Sequence, residues 1–250
     1  SEAEALDTVP FPSGVSISGL GDSATCTMCH QGRASTDGVV AATDGMDPDA
    51  VSDDLGFINV HYGVAAAVMH GAEVRGGFHY DGQSYAGRFT HVPGANTCVA
   101  CHEPHTTEVE TEGCFACHQG VNSVTAIRTR HGDFDGDGVT SGGIKTEIEG
   151  LHAILYDAIQ SYGRDVAGTP IGYADRYPYF FTDTDGDGAI GPEEAAFPNR
   201  YATWTPRLLK AAYNYQVVAK DKGAWVHNPS YALQLLHDSV VSLSARIDTD

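Results

Sequence analysis

In the second half of the chain the apolar positions recur at helical spacing. Ile148, Leu151, Leu155 and Ile159 fall three and four residues apart and form one stripe, which predicts an amphipathic helix over 146–161. Thr205 followed by Pro206 is an N-cap and first-turn pair, and it opens a second helix through Leu208, Leu209, Ala212 and Tyr213. Asn228 and Pro229 repeat the signal ahead of Leu233, Leu236, Val240 and Leu243. Residues 1–25 show no such period and read as an extended arm or surface strand. Residues 59–70 are compatible with a helix, and their alanines leave room for a flat group beside the backbone.

Composition sharpens this. Glycine and proline number 29 and 11 of 250 residues, which predicts much irregular loop around something other than a purely apolar core. The apolar content of 42% is ordinary, and no apolar run approaches the roughly 18 to 20 residues that span a bilayer. A formal charge of −19 disfavours nucleic acid and anionic membrane faces as partners, because both attract rows of Lys and Arg that are missing here. The chain starts at Ser1 with no basic segment leading into an apolar one, so it reads as a processed, exported form.

All six cysteines fall in three copies of C-x-x-C-H: Cys26, Cys29 and His30; Cys98, Cys101 and His102; Cys114, Cys117 and His118. With 12 histidines in 250 residues, three such coincidences have a chance likelihood of roughly one in ten thousand. Two thiols at this spacing can form thioethers to the vinyl groups of one haem, and the following imidazole reaches the iron from the same side. Disulfides or zinc would not require a His after every pair, and three pairs do not divide into four-cysteine zinc sites. Three haem c groups are expected.

These motifs resemble those of the multihaem c-type cytochromes, specifically over 26–118 and more loosely through Gly223–Pro229. The resemblance implies electron transfer along closely spaced haems outside the cytoplasmic membrane, at the cell surface, in the extracellular space or in the periplasm. Its partner would be a redox protein or an extracellular electron acceptor. Several extracellular members polymerise into conductive filaments, so a homopolymer and a monomeric shuttle both stay open. Bis-histidine ligation needs three distal imidazoles. His61, in the alanine-rich stretch, His91, in a loop before the second motif, and His105, three residues after His102, are the first choices. His70, His79, His131 and His227 stay in contention, His152 and His237 read as structural, and none of the three methionines is favoured as a ligand.

A second metal signal follows. Asp183, Asp185 and Asp187 occupy positions 1, 3 and 5 of a twelve-residue EF-hand-like loop, Gly188 at position 6 takes the sharp turn, Ala189 offers its carbonyl and Glu194 stands at position 12. The sequence predicts that Pro192, Glu193 and Glu194 begin an exiting helix. Asp133, Asp135 and Asp137 repeat the first half, but position 12 is Ile144, so Glu147 or Glu149 would have to substitute. Calcium is expected in the first loop, with a second ion as an option.

The expected architecture is mainly α with much irregular loop: an arm over 1–25, a haem-packed trihaem region over 26–127 and a helical calcium-binding region over 128–250. Electron transfer is the leading function. The competing reading is a multihaem oxidoreductase acting on a small nitrogen or sulfur compound at a five-coordinate haem, which needs one open iron face.

Overall fold

The computed structural model describes residues 6–247, so the first five residues of the expected arm and the last three of the helical region lie outside it. The fold is mainly helical and irregular, with two small two-stranded antiparallel sheets among the described residues. A hairpin of β1 (Val9–Pro10) and β2 (Ser16–Ile17) leads into α1 (Ala24–His30), followed by α2 (Thr36–Thr43) and α3 (Ala65–His70). Irregular chain with short 3-10 turns then runs to α4 (Ile144–Asp165). A hairpin of β3 (Ile171–Tyr173) and β4 (Phe180–Thr182) precedes α5 (Pro206–Lys220), α6 (Ala224–His227) and α7 (Pro229–Ser244).

The three predicted long helices form where their signals lie. The Thr205 side chain accepts from Leu208 N at the start of α5, and the Asn228 side chain accepts from Tyr231 N at the start of α7. Each cap satisfies an N–H that the first helical turn leaves without a partner. The α4 stripe of Ile148, Leu151, Leu155 and Ile159 is buried and continues to Tyr162. Helix α5 is buried nearly all round, as a central helix must be, and it packs on both α4 and α7.

Buried polar side chains of this bundle hold the segment that carries α3. Asn214 accepts from Phe78 N at 2.6 Å and donates to Phe78 O at 3.0 Å. Gln216 accepts from Val60 N at 2.9 Å, Tyr213 donates to Gly76 O at 2.7 Å, and Tyr231 accepts from Gly77 N at 2.9 Å. An irregular strand of backbone needs partners when buried, and α5 and α7 supply them in place of a sheet. The apolar core therefore draws on residues from both sides of position 127, including Val60, Val64, Val68 and Phe78 with Leu155, Leu208 and Leu235.

Residues 79–142 are different: none is buried, although they include the second and third C-x-x-C-H motifs. No helix is long and apolar enough to cross a membrane among the described residues.

Candidate haem and metal sites

Each C-x-x-C-H unit folds into a single helical turn. In α1, Cys26, Cys29 and His30 stand at i, i+3 and i+4 and so share one face, while Ala24 and Thr27 turn into the core. The other two motifs lie in 3-10 turns with matching backbones: His102 N donates to Cys98 O at 2.8 Å, and His118 N donates to Cys114 O at 2.9 Å. All six thiols are free. Partial burial raises the Cys26 thiol, with the neighbouring Cys98 adding to it. The first and second motifs are thus neighbours, and Cys98 N donates to Ser23 Oγ, just ahead of the first motif, at 3.1 Å.

The tautomer of two motif histidines is fixed by what they touch. His30 Nδ1 lies 3.1 Å from Gly63 O, and His102 Nδ1 lies 3.1 Å from Thr107 O. A carbonyl only accepts, so each Nδ1 carries the proton and each Nε2 keeps the lone pair that a metal needs. Gly63 permits the first contact because a Cβ there would stand 3.3 Å from His30 Nδ1.

Two of the motif histidines face a second imidazole. His118 and His91 have ring centres 5.9 Å apart, and His102 and His227 have ring centres 6.3 Å apart. Two imidazoles on opposite sides of one metal, with bonds of about 2 Å each, place their ring centres about 6 Å apart. Both pairs fit that spacing. His227 reaches this position from α6, and Asn228 beside it donates to Gly87 O at 2.9 Å and Met69 O at 3.4 Å.

Around the first motif, two imidazoles have a buried Nε2 without a hydrogen-bond partner, His61 and His70. His61 lines a cavity of about 270 Å³ with Met28, Cys29, Gly32, Arg33 and Tyr62. His70 ends α3, which packs on α1, and its Nδ1 lies 3.2 Å from Glu73 Oε2. Burial holds His70 below the ordinary imidazole value, which favours the neutral, ligating form. His105 is exposed, and among the described residues its ring makes no hydrogen bond. His79 bonds Tyr231 at 2.8 Å and stacks on Tyr85, His152 bonds Tyr215 O at 3.0 Å, and His131 and His237 are exposed.

The two aspartate-rich loops fold alike. Asp183 accepts from Gly186 N at 2.7 Å and Gly188 N at 2.9 Å; Asp133 accepts from Gly136 N at 2.7 Å and Gly138 N at 2.9 Å. In each loop the acids at positions 3 and 5 accept from the backbone N–H two residues on. Carboxylate oxygens of Asp183, Asp185 and Asp187 converge within 4.8 Å of one another, as do those of Asp133, Asp135 and Glu147. Glu194 instead turns to Thr184 N and Oγ1, both at 2.6 Å, and to Gly191 N at 2.9 Å. Those bonds, led by the Thr184 hydroxyl, hold its carboxyl down at about 2.

One expectation needs correction. The Asp183 loop has no flanking helices: β4 enters it, and a turn followed by the 3-10 segment Phe197–Asn199 leaves it. Phe180 and Phe181 favour a strand, and Pro198 lies too close behind Glu194 for an exiting helix to extend. Asn199 closes the loop by donating to Thr182 O and Glu194 O.

With its three C-x-x-C-H turns the chain is similar to multihaem c-type cytochromes. It is 29% identical over 251 residues to the C-type polyheme cytochrome OmcC of Geobacter sulfurreducens strain PCA, a match covering 90% of this chain and 30% of that protein. It is 26% identical over 264 residues to the C-type polyheme cytochrome OmcB of strain DL-1, a match covering 90% of this chain and 32% of that protein. The chain thus spans about a third of the length of these curated relatives. No protein-family model and no solved structure matches it.

Proposed function

We propose that the chain carries electrons through three covalently attached haems, anchored at Cys26 and Cys29, Cys98 and Cys101, and Cys114 and Cys117. The observation that carries this is the pairing of His102 with His227 and of His118 with His91 at metal-spanning separations. The stretch 79–142 supports it from another side, since chain with no fully buried residue gains a core if haems pack against it. Haem supplies a one-electron couple; the protein supplies axial imidazoles, spacing and a medium of low dielectric.

His91 and His227 are the proposed distal ligands of the third and second haems, with His227 preferred to the exposed His105. For the first haem the cavity shared with Cys29 favours His61, while the anchored Nδ1 of His70 favours the alternative. EPR of the two alanine variants decides between them: the true ligand's removal converts one low-spin haem to high spin, and the other's does not.

A haem count by pyridine haemochrome, with an intact mass, tests the whole reading; fewer than three covalent haems would overturn it. An oxidoreductase would need an iron with an open face. Carbon monoxide that shifts the spectrum of the fully reduced parent would favour that reading. Calcium in the Asp183 and Asp133 loops is part of the proposal, supported by their convergent carboxylates. Location at the cell surface or in the periplasm, and assembly into a filament, rest on the resemblance, and electron microscopy of the purified protein tests the latter.

A further inference from the structure

The candidate ligand histidines differ in what their second nitrogen meets. His30 and His102 point Nδ1 at neutral backbone carbonyls. His70 meets Glu73, whose side chain is 47% exposed. His227 Nδ1 lies 2.8 and 2.9 Å from the two oxygens of Asp221, whose side chain is 3% exposed. Among the described residues neither His91 nor His118 has a ring hydrogen bond.

Asp221 is also held in place. It caps the C-terminus of α5 with its N–H on Val217 O at 3.2 Å, and its Oδ1 accepts from Gly223 N at 3.1 Å. The turn between them leads directly into α6, so the carboxylate and the imidazole are fixed on opposite sides of one short corner.

We propose that Asp221 is a positioning residue that gives the second haem an electron-rich axial imidazole and makes it the last of the three to be reduced. This rests on His227 being the axial partner of His102. An Nδ1–H donated to a carboxylate raises the basicity of Nε2, and a more basic ligand favours ferric over ferrous iron. A buried anion nearby acts in the same direction, because protein shields it less than water would. Reduction transfers one electron from an external reductant such as dithionite to ferric iron, with no bond made or broken. Both effects oppose that electron at the second haem, and neither a carbonyl nor a half-exposed glutamate matches them.

The test is a spectroelectrochemical titration followed by EPR on the holoprotein and its variants. Asp221→Asn should keep three low-spin haems while the lowest-potential wave moves up and the other two stay, and Asp221→Glu should restore most of the shift. An unmoved lowest wave in a fully loaded Asp221→Asn protein overturns the proposal. His227→Ala provides a check that does not depend on that variant loading: the low-spin signal it removes must be the one reduced last in the parent. Loss of an earlier-reduced signal sinks the inference alone, whereas no loss of any low-spin signal sinks the ligand assignment beneath it.

Discussion

His91 and His118 face each other with ring centres 5.9 Å apart and planes inclined by 29°. His118 follows the third cysteine pair, and His91 comes from a loop ahead of the second, so the facing pair joins two segments that share no regular structure. The pairing predicts that His91→Ala leaves the covalent haem count unchanged, because the thioethers are untouched. It also predicts that one of three haems turns high spin and gains carbon monoxide binding when reduced. A fully low-spin spectrum from that variant would remove His91 from the ligand set.

What the sequence revealed and what it hid divide by range. Helices α4, α5 and α7 were legible because period and cap are local, and Thr205 and Asn228 cap as their residue types predict. The three C-x-x-C-H motifs were legible because each is contiguous. The facing of His102 and His227 was not, since α6 reaches the second motif only through tertiary contacts such as Asn228 to Gly87. Asp221 gave no signal either: its six-residue offset from His227 matches no helical or strand period, and the corner at Gly223 brings them together. The missing helices around the Asp183 loop reflect a motif that specifies ligands and a turn but not its flanks.

Gly71 ends α3 beside His70, at φ +55°, and a Cβ there would stand 2.3 Å from Ala86 O and 2.9 Å from Asn228 Nδ2. Side chains avoid that backbone region; Ala86 O is main chain, and the Asn228 side chain is buried and bonded to Gly87 O. Gly71→Ala should therefore lose about 1–3 kcal/mol from strain alone. Because Gly71 meets both Ala86 and Asn228, the damage should extend to the chain that aligns α3 with α6. A fall in denaturation midpoint together with a disturbed low-spin spectrum is expected; an unchanged midpoint would contradict this close packing around Gly71.

His79 is held neutral by partial burial, its value lowered to about 4, with Arg75 assisting. An unfolded imidazole titrates near 6.5, so the unfolded state binds the extra proton between those values. The folded-state pKa is depressed, and stability is therefore full above about pH 6.5 and declines as pH falls toward 4. Allowing for partial exposure, the loss attributable to His79 is about 2 kcal/mol. Denaturant titrations at pH 4.5 and 7.5 should show this difference, and His79→Gln should reduce it by that amount. An equal pH dependence in the variant would assign the effect to other groups.

The two acidic loops should differ in calcium affinity although their backbones match. Glu147 arrives partly spent: Arg128 Nη1 bonds one oxygen at 2.7 Å, and Phe134 N bonds the other at 2.7 Å. Burial alone would raise its carboxyl, but the Phe134 N–H and the Arg128 guanidinium outweigh it and hold the value down. A calcium ion there competes with a guanidinium already in place. At the Asp183 loop the three converging aspartates have no basic partner among the described salt bridges, and Glu194 is held only by neutral donors. Calorimetry on chelator-treated holoprotein should therefore resolve a tighter step that Asp183→Asn removes and a weaker one that Asp133→Asn removes. At free calcium a hundredfold above the tighter dissociation constant, the folded state should gain about 2.7 kcal/mol, read as a rise in midpoint. A single step abolished by Asp133→Asn would reverse this order, because it would mean that the guanidinium yields to the ion more readily than Glu194 swings from its backbone donors.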